Sequence, residues 1–315
     1  MAVDFEGEFR PTPNDSLYAV VSVAKGNGLK GLGGLSVAVN ADDLEDDVKD
    51  INGRGRDYLL EALYEHTFKL DETLALALTG GLLNATHYID HNALADDEIM
   101  QFMNEVFVSR FFLPTYEPGV RAGLSGAGWH ADLVWMDVAT ETPRVDPDGY
   151  HFLGVDVGIT LQLPIGEGHY HFIVQSTDRS MTRRTGSERS TRVRGAGVSL
   201  DQAVGENLGI FVRVGANNDE AAALVHHALY SGGLRLNGRA LALPGWTLGA
   251  VFAYLDGAGD EVGDVRRTRV FETYGRYALT DYSNISLDIQ HVADEIESGP
   301  DPDAWILGVR VNVYF

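Results

Sequence analysis

AWILGVRVNVYF, residues 304–315, is the stretch that decides the fold. Every second residue from Trp305 to Phe315 is apolar, while the alternate positions are mostly small or polar, with Arg310 at their centre. Since successive side chains of a strand point to opposite faces, this pattern predicts a strand with one continuous apolar face. It is typical of a membrane barrel, with lipid on one face and water on the other. A strand of a soluble sandwich is the alternative that this stretch leaves open.

Composition limits how the chain could cross a membrane. It has 315 residues, 44% of them hydrophobic, a mean hydropathy of −0.10 and no Cys. The densest apolar runs, such as residues 18–24 and 74–78, are far shorter than the roughly 20 residues of a spanning helix. A membrane location would therefore require a barrel, the other structure that satisfies every backbone polar group in lipid. Without Cys, disulfides and thiolate metal sites are excluded.

The charge balance excludes some partners. The chain has 24 Lys and Arg against 46 Asp and Glu, a formal net charge of −22. This argues against nucleic acid as a partner and against docking on an anionic membrane through a basic patch. If the chain forms a channel, the excess of carboxylates predicts a preference for cations over anions.

The connections between predicted strands alternate in length. Tight turns centre on residues 71, 127, 166, 205 and 281. Long polar connections cover residues 25–56, 84–118, 140–149, 177–189, 256–267 and 293–303. Barrels of bacterial outer membranes place long loops outside the cell and short turns in the periplasm. The sequence therefore predicts an all-β fold, a single transmembrane antiparallel up-and-down β-barrel over residues 1–315 with long extracellular loops and short periplasmic turns.

The strand count is predicted to be about 14–16. About fourteen strands follow from Leu17 onward, an even number that leaves the C-terminus in the periplasm. Residues 1–15 are expected to be an extra strand or the remainder of a trimmed one, because a wall strand at residues 3–10 makes the number odd. Met1 is not followed by a basic and an apolar region, so we expect that a secretory signal was removed and a Met supplied, or that the chain was trimmed further.

Five stretches of the sequence, taken together, carry a resemblance to a known family. They lie at residues 42–59 (DDLEDDVKDINGRGRDYL), 80–107 (GGLLNATHYIDHNALADDEIMQFMNEVF), 228–234 (ALYSGGL), 272–279 (ETYGRYAL) and 303–315. Together they resemble the carbohydrate-selective porin family of Gram-negative bacteria, and the run at residues 90–104 is the most specific part. The resemblance implies a barrel of about sixteen strands in the outer membrane, which passes small sugars by diffusion. It does not identify individual sugar ligands in this sequence.

The chemistry of a porin is carried by its lumenal wall and its narrowest point. Strand parity predicts these pore-lining side chains: Glu61, Glu65, Arg121, Asp156, Gln162, Arg213, Glu272, Tyr274, Arg276, Asp288, Gln290 and Arg310. Both signs of charge occur, so a field across the pore could orient dipolar solutes, and Tyr274 could stack on a sugar ring. The alternative is that these charges pair with one another and merely keep the lumen wet.

The long loops at residues 25–56 and 84–118 are candidates to fold inward and form the pore constriction. The alternative is that they lie on the extracellular surface. Their carboxylates, Asp42 and Asp43 among them, could bind divalent cations, although solvated acidic loops are the favoured interpretation. We expect no cofactor and no metal.

Signals of an enzyme are weak. His169 and His171 share an inward parity at a spacing that could hold a metal, but plain lining of the lumen is favoured. No nucleophile elbow is present in the sequence. We therefore expect a porin rather than an enzyme, with a plugged structural barrel, a barrel enzyme and a soluble all-β binding protein as alternatives. The expected partners are small sugars or other hydrophilic solutes, outer-membrane lipid and the barrel assembly machinery, which would read Phe315. Formation of a homo-oligomer stays open.

Overall fold

The computed structural model describes residues 1–29, 34–39, 44–108, 112–140, 144–185, 189–259, 261 and 263–315. Fifteen of the described strands form one antiparallel sheet in chain order, which is an up-and-down β-barrel wall. The sheet strands are β1 (Ala2–Thr12), β2 (Asp15–Ala24), β3 (Leu59–Lys69), β4 (Ala75–Leu83), β5 (Glu117–Gly126), β6 (Trp129–Val138), β7 (Tyr150–Leu163), β8 (Gly166–Thr177), β11 (Arg194–Val204), β12 (Leu208–Asn217), β13 (His226–Asn237), β14 (Trp246–Gly257), β15 (Val265–Thr280), β16 (Ser283–Ile296) and β17 (Asp303–Val313).

The remaining elements lie in the connections. β9 (Met181–Thr182) and β10 (Arg189–Thr191) pair as a separate small hairpin. The helices are α1 (Leu44–Asp47), α2 (Glu105–Val108) and the 3-10 turns Ile51–Gly53, Ala85–His87 and Gly238–Leu241.

The outer face of the wall is largely apolar, whereas the inner face carries polar residues together with some apolar ones. On β7, Leu153, Val157 and Ile159 are exposed, whereas Asp156, on the opposite face, is buried. This is the reverse of a soluble sheet, and it follows from the period-2 alternation of the sequence. No helix among the described residues is long and apolar enough to cross a membrane.

The predicted fold class is confirmed, and the strand count lies within the predicted range. The sheet has fourteen strands from β2 onward, and the N-terminal segment adds β1, which pairs with β2 from Ala2 opposite Ala24 to Thr12 opposite Asp15. Among the described residues β1 and β17 do not pair with each other, so both are terminal strands of the sheet. Leu307 on β17 is therefore 76% exposed, against 44% for Leu153 on the interior strand β7.

One local expectation differs from the structure. The predicted loop at residues 177–189 contains β9 and the start of β10. In the connection at residues 84–118, helix α2 begins only at Glu105. The residues before it form a turn in which the Asp97 side chain accepts the backbone N–H groups of Ile99 and Met100.

Two apolar clusters lie on the inner side of the wall, where the connection at residues 84–118 packs against it. In the first, Ile89 of that connection packs with Val134, Met136 and Phe152 of β6 and β7. In the second, Phe102 and Phe107 join side chains of β12 to β16. Phe102 meets the Tyr274 ring edge-on, with centroids 5.2 Å apart. The connection therefore rests on both sides of the lumen and is named the inner loop below.

Candidate functional site

Arg213 of β12 is the main anchor of the inner loop. Its Nε donates to Asp90 Oδ1 at 2.7 Å, and both side chains are fully buried. Its other nitrogens donate to the carbonyl oxygens of Phe107 at 2.7 Å and Ala95 at 3.0 Å. One planar guanidinium thus holds three separate points of the loop, as its fixed fork of donors allows. Burial raises the pKa of Asp90 to about 6 in spite of this partner.

Glu272 and Gln290 hold the middle of the inner loop. The Glu272 carboxylate accepts the backbone N–H of Met103 at 2.5 Å and that of Asn104 at 2.9 Å. Asn104 Nδ2 donates to Gln290 Oε1 at 3.1 Å. Because these groups are buried, each hydrogen bond satisfies a polar atom that would otherwise have no partner.

Further hydrogen bonds fasten the inner loop to other strands of the wall. Asp156 of β7 accepts the N–H of Asp90 at 2.9 Å, and Asp201 of β11 accepts that of Ala93 at 2.9 Å. On the other side, Arg310 of β17 donates to the carbonyls of Glu98 and Gln101, and Arg276 donates to that of Met100. The inner loop therefore runs across the lumen from β7 to β17.

A cavity of about 890 Å³ remains beside the inner loop. Its lining is acidic and includes no Lys or Arg among the described residues. Tyrosines and histidines also line it, among them Tyr116, Tyr150 and His226. The acidic lining residues are Glu6, Asp96, Asp97, Glu98 and Glu105.

A second cavity of about 280 Å³ lies toward the short turn between β1 and β2. His87 lines both cavities, and its neighbour Tyr88 lines the smaller one. The guanidinium of Arg121 lies over the Tyr88 ring, 4.9 Å from its centroid. Arg121 also pairs with Glu65 at 3.1 Å and with Asp132 at 2.5 Å. His87 therefore borders both cavities, and its neighbour Tyr88 lies beside Arg121 and the two carboxylates that pair with Arg121.

Three ionisable groups in this part of the inner loop, His87, Tyr88 and His91, have shifted pKa values. A hydrogen bond to Glu61 raises the pKa of His87, and the Nδ1 of His87 lies 3.4 Å from that carboxylate. A hydrogen bond to Asp96 raises the pKa of His91 to about 8. Burial raises the pKa of Tyr88 to about 12, so its hydroxyl stays protonated. Both histidines therefore carry a proton at higher pH than a free imidazole does.

The predicted pore-lining side chains differ in burial and in their access to the two cavities. None lines the larger cavity, and Glu65 lines the smaller one. Gln162 is exposed near the turn after β7, while Glu65, Arg121, Arg276 and Arg310 are half-buried. The buried ones are Glu61, Asp156, Arg213, Glu272, Tyr274, Asp288 and Gln290.

The lining of the larger cavity comes largely from the inner loop, which strand parity cannot assign. The acidic run Asp96, Asp97, Glu98 is visible in the sequence, but its position facing the cavity depends on how the loop folds. Glu6 and His87 had no signal of their own. Of the two acidic loops, the first contains Asp42 and Asp43, which lie outside the described residues.

Comparisons with known proteins agree on the fold. No family model matches the chain. An uncharacterized protein of Aquifex aeolicus is 29% identical over 282 residues, which cover 89% of this chain and 76% of that protein. OprB of Pseudomonas putida is a similar solved structure, with a TM-score of 0.71, 12% identity, and coverage of 95% of this chain and 82% of that one.

Two further solved structures are similar. The outer membrane channel DcaP of Acinetobacter baumannii has a TM-score of 0.58 at 10% identity and covers 100% of this chain and 84% of its own. A mutant of the Rh. blastica porin has a TM-score of 0.54 at 10% identity, with coverage of 98% and 89%. At these identities the likeness concerns the fold, which is that of outer-membrane porins. Together with the apolar outer face of the wall, this fold places the chain in an outer membrane.

Proposed function

We propose that the chain is a porin, through which small hydrophilic solutes diffuse passively, with small sugars as the favoured class and cations preferred among ions. The observation that carries this proposal is the cavity of about 890 Å³ inside a porin-type barrel, lined by carboxylates without Lys or Arg among the described residues. Carboxylates concentrate cations in a low-dielectric cleft and repel anions. The resulting channel discriminates by charge and passes neutral polar solutes.

Sugars are favoured over other neutral solutes for two reasons. The sequence resembles the carbohydrate-selective porins at residues 80–107, which include most of the inner loop. The cavity also combines aromatic side chains, Tyr116, Tyr150 and Tyr314, with carboxylates. Aromatic rings stack on the apolar faces of sugar rings, and carboxylates accept hydrogen bonds from hydroxyl groups.

Tyr88, His87 and Arg121 are proposed as the constriction. His87 borders both cavities, Tyr88 borders the smaller one, and the Arg121 guanidinium lies over the Tyr88 ring. The inner loop supplies His87 and Tyr88. A charge pair of opposite signs, Arg121 and Glu65, crosses this place. A local field of that kind orients a dipolar solute as it passes.

The test is single-channel conductance of detergent-purified protein in a planar bilayer. In a KCl gradient the reversal potential should have the sign of potassium selectivity, and a small sugar should block the current in a saturable way. Chloride selectivity would contradict the proposed charge discrimination. Currents that sugars do not block would support a general cation-preferring porin and contradict the proposal of a sugar site.

A plugged structural barrel is the second candidate, and a specific observation favours it. The inner loop buries Phe102, Phe107 and Ile89 in two apolar clusters on opposite sides of the lumen, so much of the barrel is filled by a packed core. A folded, heat-modifiable protein without any conductance would establish this candidate and overturn the porin.

We also propose that the barrel assembly machinery recognises Phe315 when it inserts the barrel into the membrane. Phe315 is 97% exposed at the chain end that follows β17, where another protein can reach it. We expect Phe315→Ala to slow insertion of the barrel in cells without changing the conductance of protein refolded in detergent. Unchanged insertion would remove this role of Phe315.

A further inference from the structure

His130 and His171 lie in one row across three neighbouring wall strands. Gly158 of β7 stands opposite His130 of β6 on one side and opposite His171 of β8 on the other. All three positions face the lumen. Because glycine has no side chain, the two imidazoles approach each other over it, with their centroids 5.1 Å apart.

Asp156 completes this group from the same face of β7. Side chains two residues apart on a strand share a face, so Asp156 stands next to the gap above Gly158. Its Oδ1 lies 3.0 Å from His171 Nδ1 and 3.6 Å from His130 Nε2. One ligand atom of each of the three residues lies within 4.8 Å of the others. The Asp156 side chain is fully buried and that of His171 is 5% exposed.

Two details show that the wall keeps this group together. The Nε2 atom of His130 is buried and has no hydrogen-bond partner, although it is the atom nearest the Asp156 carboxylate. A Cβ at Gly158 would lie 2.1 Å from His130 Cε1, so any other residue there would displace the imidazole. A buried polar atom without a partner is uncommon in proteins and calls for an explanation, of which a bound ion is one.

We propose that His130, Asp156 and His171 form a binding site for a divalent transition-metal ion of the Zn²⁺ type. Two imidazoles and one carboxylate are the donor set that Zn²⁺ takes in open, three-ligand sites, where water fills the fourth position. Bonds of about 2.0–2.1 Å place neighbouring ligands of a tetrahedron about 3.3 Å apart, so a small closure of the two rings suffices. His130, whose side chain is 31% exposed, gives the ion a way in from the lumen.

The site also touches the inner loop. The second oxygen of Asp156, Oδ2, accepts the backbone N–H of Asp90, next to the ion pair with Arg213. An ion bound to Oδ1 therefore fixes the carboxylate that holds this end of the loop. The binding site itself rests on the geometry of three wall strands and not on the proposed transport function.

His169 provides a matched control. It lies on β8 two residues before His171 and faces the lumen, and its Nδ1 pairs with Asp201 Oδ1 at 2.8 Å. It is a histidine–carboxylate pair of the same kind, but it is not a member of the three-residue group. The sequence suggested His169 and His171 as the pair that could hold a metal, whereas the structure groups His171 with His130 instead.

The experiment is a titration of tag-free, chelator-treated protein in detergent with Zn²⁺ by calorimetry, and with Co²⁺ by visible absorption. The protein should bind one equivalent, with the d–d absorption of a tetrahedral Co²⁺ site. His130→Ala and His171→Ala should each weaken binding at least tenfold, and Gly158→Ala should do the same by displacing His130. His169→Asn should bind as the unaltered protein does.

Folding is checked for each variant by the heat-dependent shift of the barrel on a gel. If the folded protein binds no Zn²⁺, the three residues form only a hydrogen-bonded group that fastens the loop, and the proposal is overturned. Binding that survives in His130→Ala and His171→Ala, or that is lost in His169→Asn alone, would also overturn it. If Gly158→Ala does not fold, the two alanine variants decide the question.

Discussion

The lumenal surface has two regions that look alike in sequence and differ in the structure. Under the inner loop, Arg213, Glu272 and Asp288 are completely buried and hold or neighbour the loop backbone. On the loop itself, Glu98 and Glu105 line an open cavity. Both regions are rich in charge and both lie inside the barrel. A charged side chain that faces the lumen therefore either fixes the loop or meets the solute, and the path of the loop decides which.

The comparison predicts different consequences for the two regions. A substitution under the loop should change stability and the size of the opening. A substitution in the cavity should change ion selectivity while the fold stays intact. Five variants test this division.

The largest effect is expected for Arg213→Met. The variant leaves Asp90 buried without its charged partner, and loss of one member of a buried pair costs about 3–5 kcal/mol. We expect a lower free energy of unfolding in lipid vesicles, faster proteolysis within residues 84–118 and a larger conductance. Arg266→Met is the control, because Arg266 is 60% exposed and its pair with Glu295 contributes about 1 kcal/mol or less.

A second variant separates the cost of the unpaired Asp90 charge from the cost of losing the contacts of the Arg213 side chain. Asp90→Asn combined with Arg213→Met removes the unpaired carboxylate, so the double variant should regain part of the lost stability. If Arg213→Met alone leaves stability, proteolysis and conductance unchanged, the guanidinium is not the anchor of the loop.

Glu272→Gln should have a smaller effect of the same kind. The carboxylate accepts two backbone N–H groups of the loop, and a carboxamide offers only one oxygen in their place. One buried N–H then loses its acceptor, at a cost of about 1–3 kcal/mol. The measurement is hydrogen exchange of the Met103 and Asn104 amides, which should accelerate. Exchange as slow as in the unaltered protein would show that other contacts hold this part of the loop.

Strand parity predicted much of the wall from the sequence. The alternation on β7 and β17 and the alternation of long and short connections were sufficient for the fold class, because a barrel wall repeats one simple rule. The inward direction of Arg213 and Glu272 was also predictable. Their burial was not, because it depends on contacts with residues more than 100 positions away, such as the one from Arg213 to Phe107. For the same reason, strand parity could not predict that Glu98 and Glu105 line the larger cavity.

In the cavity, Glu98→Gln together with Glu105→Gln should reduce cation preference. A unit charge about 5 Å from a passing ion contributes about 0.8 kcal/mol in water, so each lost charge changes the permeability ratio up to about fourfold at low salt. The reversal potential in a KCl gradient measures this ratio. Glu72→Gln, in the short turn between β3 and β4, is the control and should leave the ratio unchanged. An unchanged ratio in the double variant would mean that ions take another path.

The smallest effect is expected from the charge state of His87, which lies between the two regions. The hydrogen bond to Glu61 raises the pKa of His87, so the imidazole gains its proton at a higher pH than usual and loses it as the pH rises through that raised value. Protonation adds a positive charge where the cavities meet. Cation preference should therefore increase as the pH rises above the range in which a free imidazole loses its proton.

His87→Asn should flatten this dependence, since an amide does not titrate. His91, whose Nε2 is hydrogen-bonded to the carbonyl oxygen of His87, also has a raised pKa, and His226 and His227 line the larger cavity. Part of the dependence should therefore remain in the variant. The reversal potential measured across that pH range compares the two proteins. If the variant keeps the full dependence, the titrating group belongs to the carboxylate-lined cavity and the junction at His87 does not control ion passage. If the variant loses most of the pH dependence, the narrowest part of the path lies where the loop meets β3. His87, which borders both cavities, then sets the pH response of the channel.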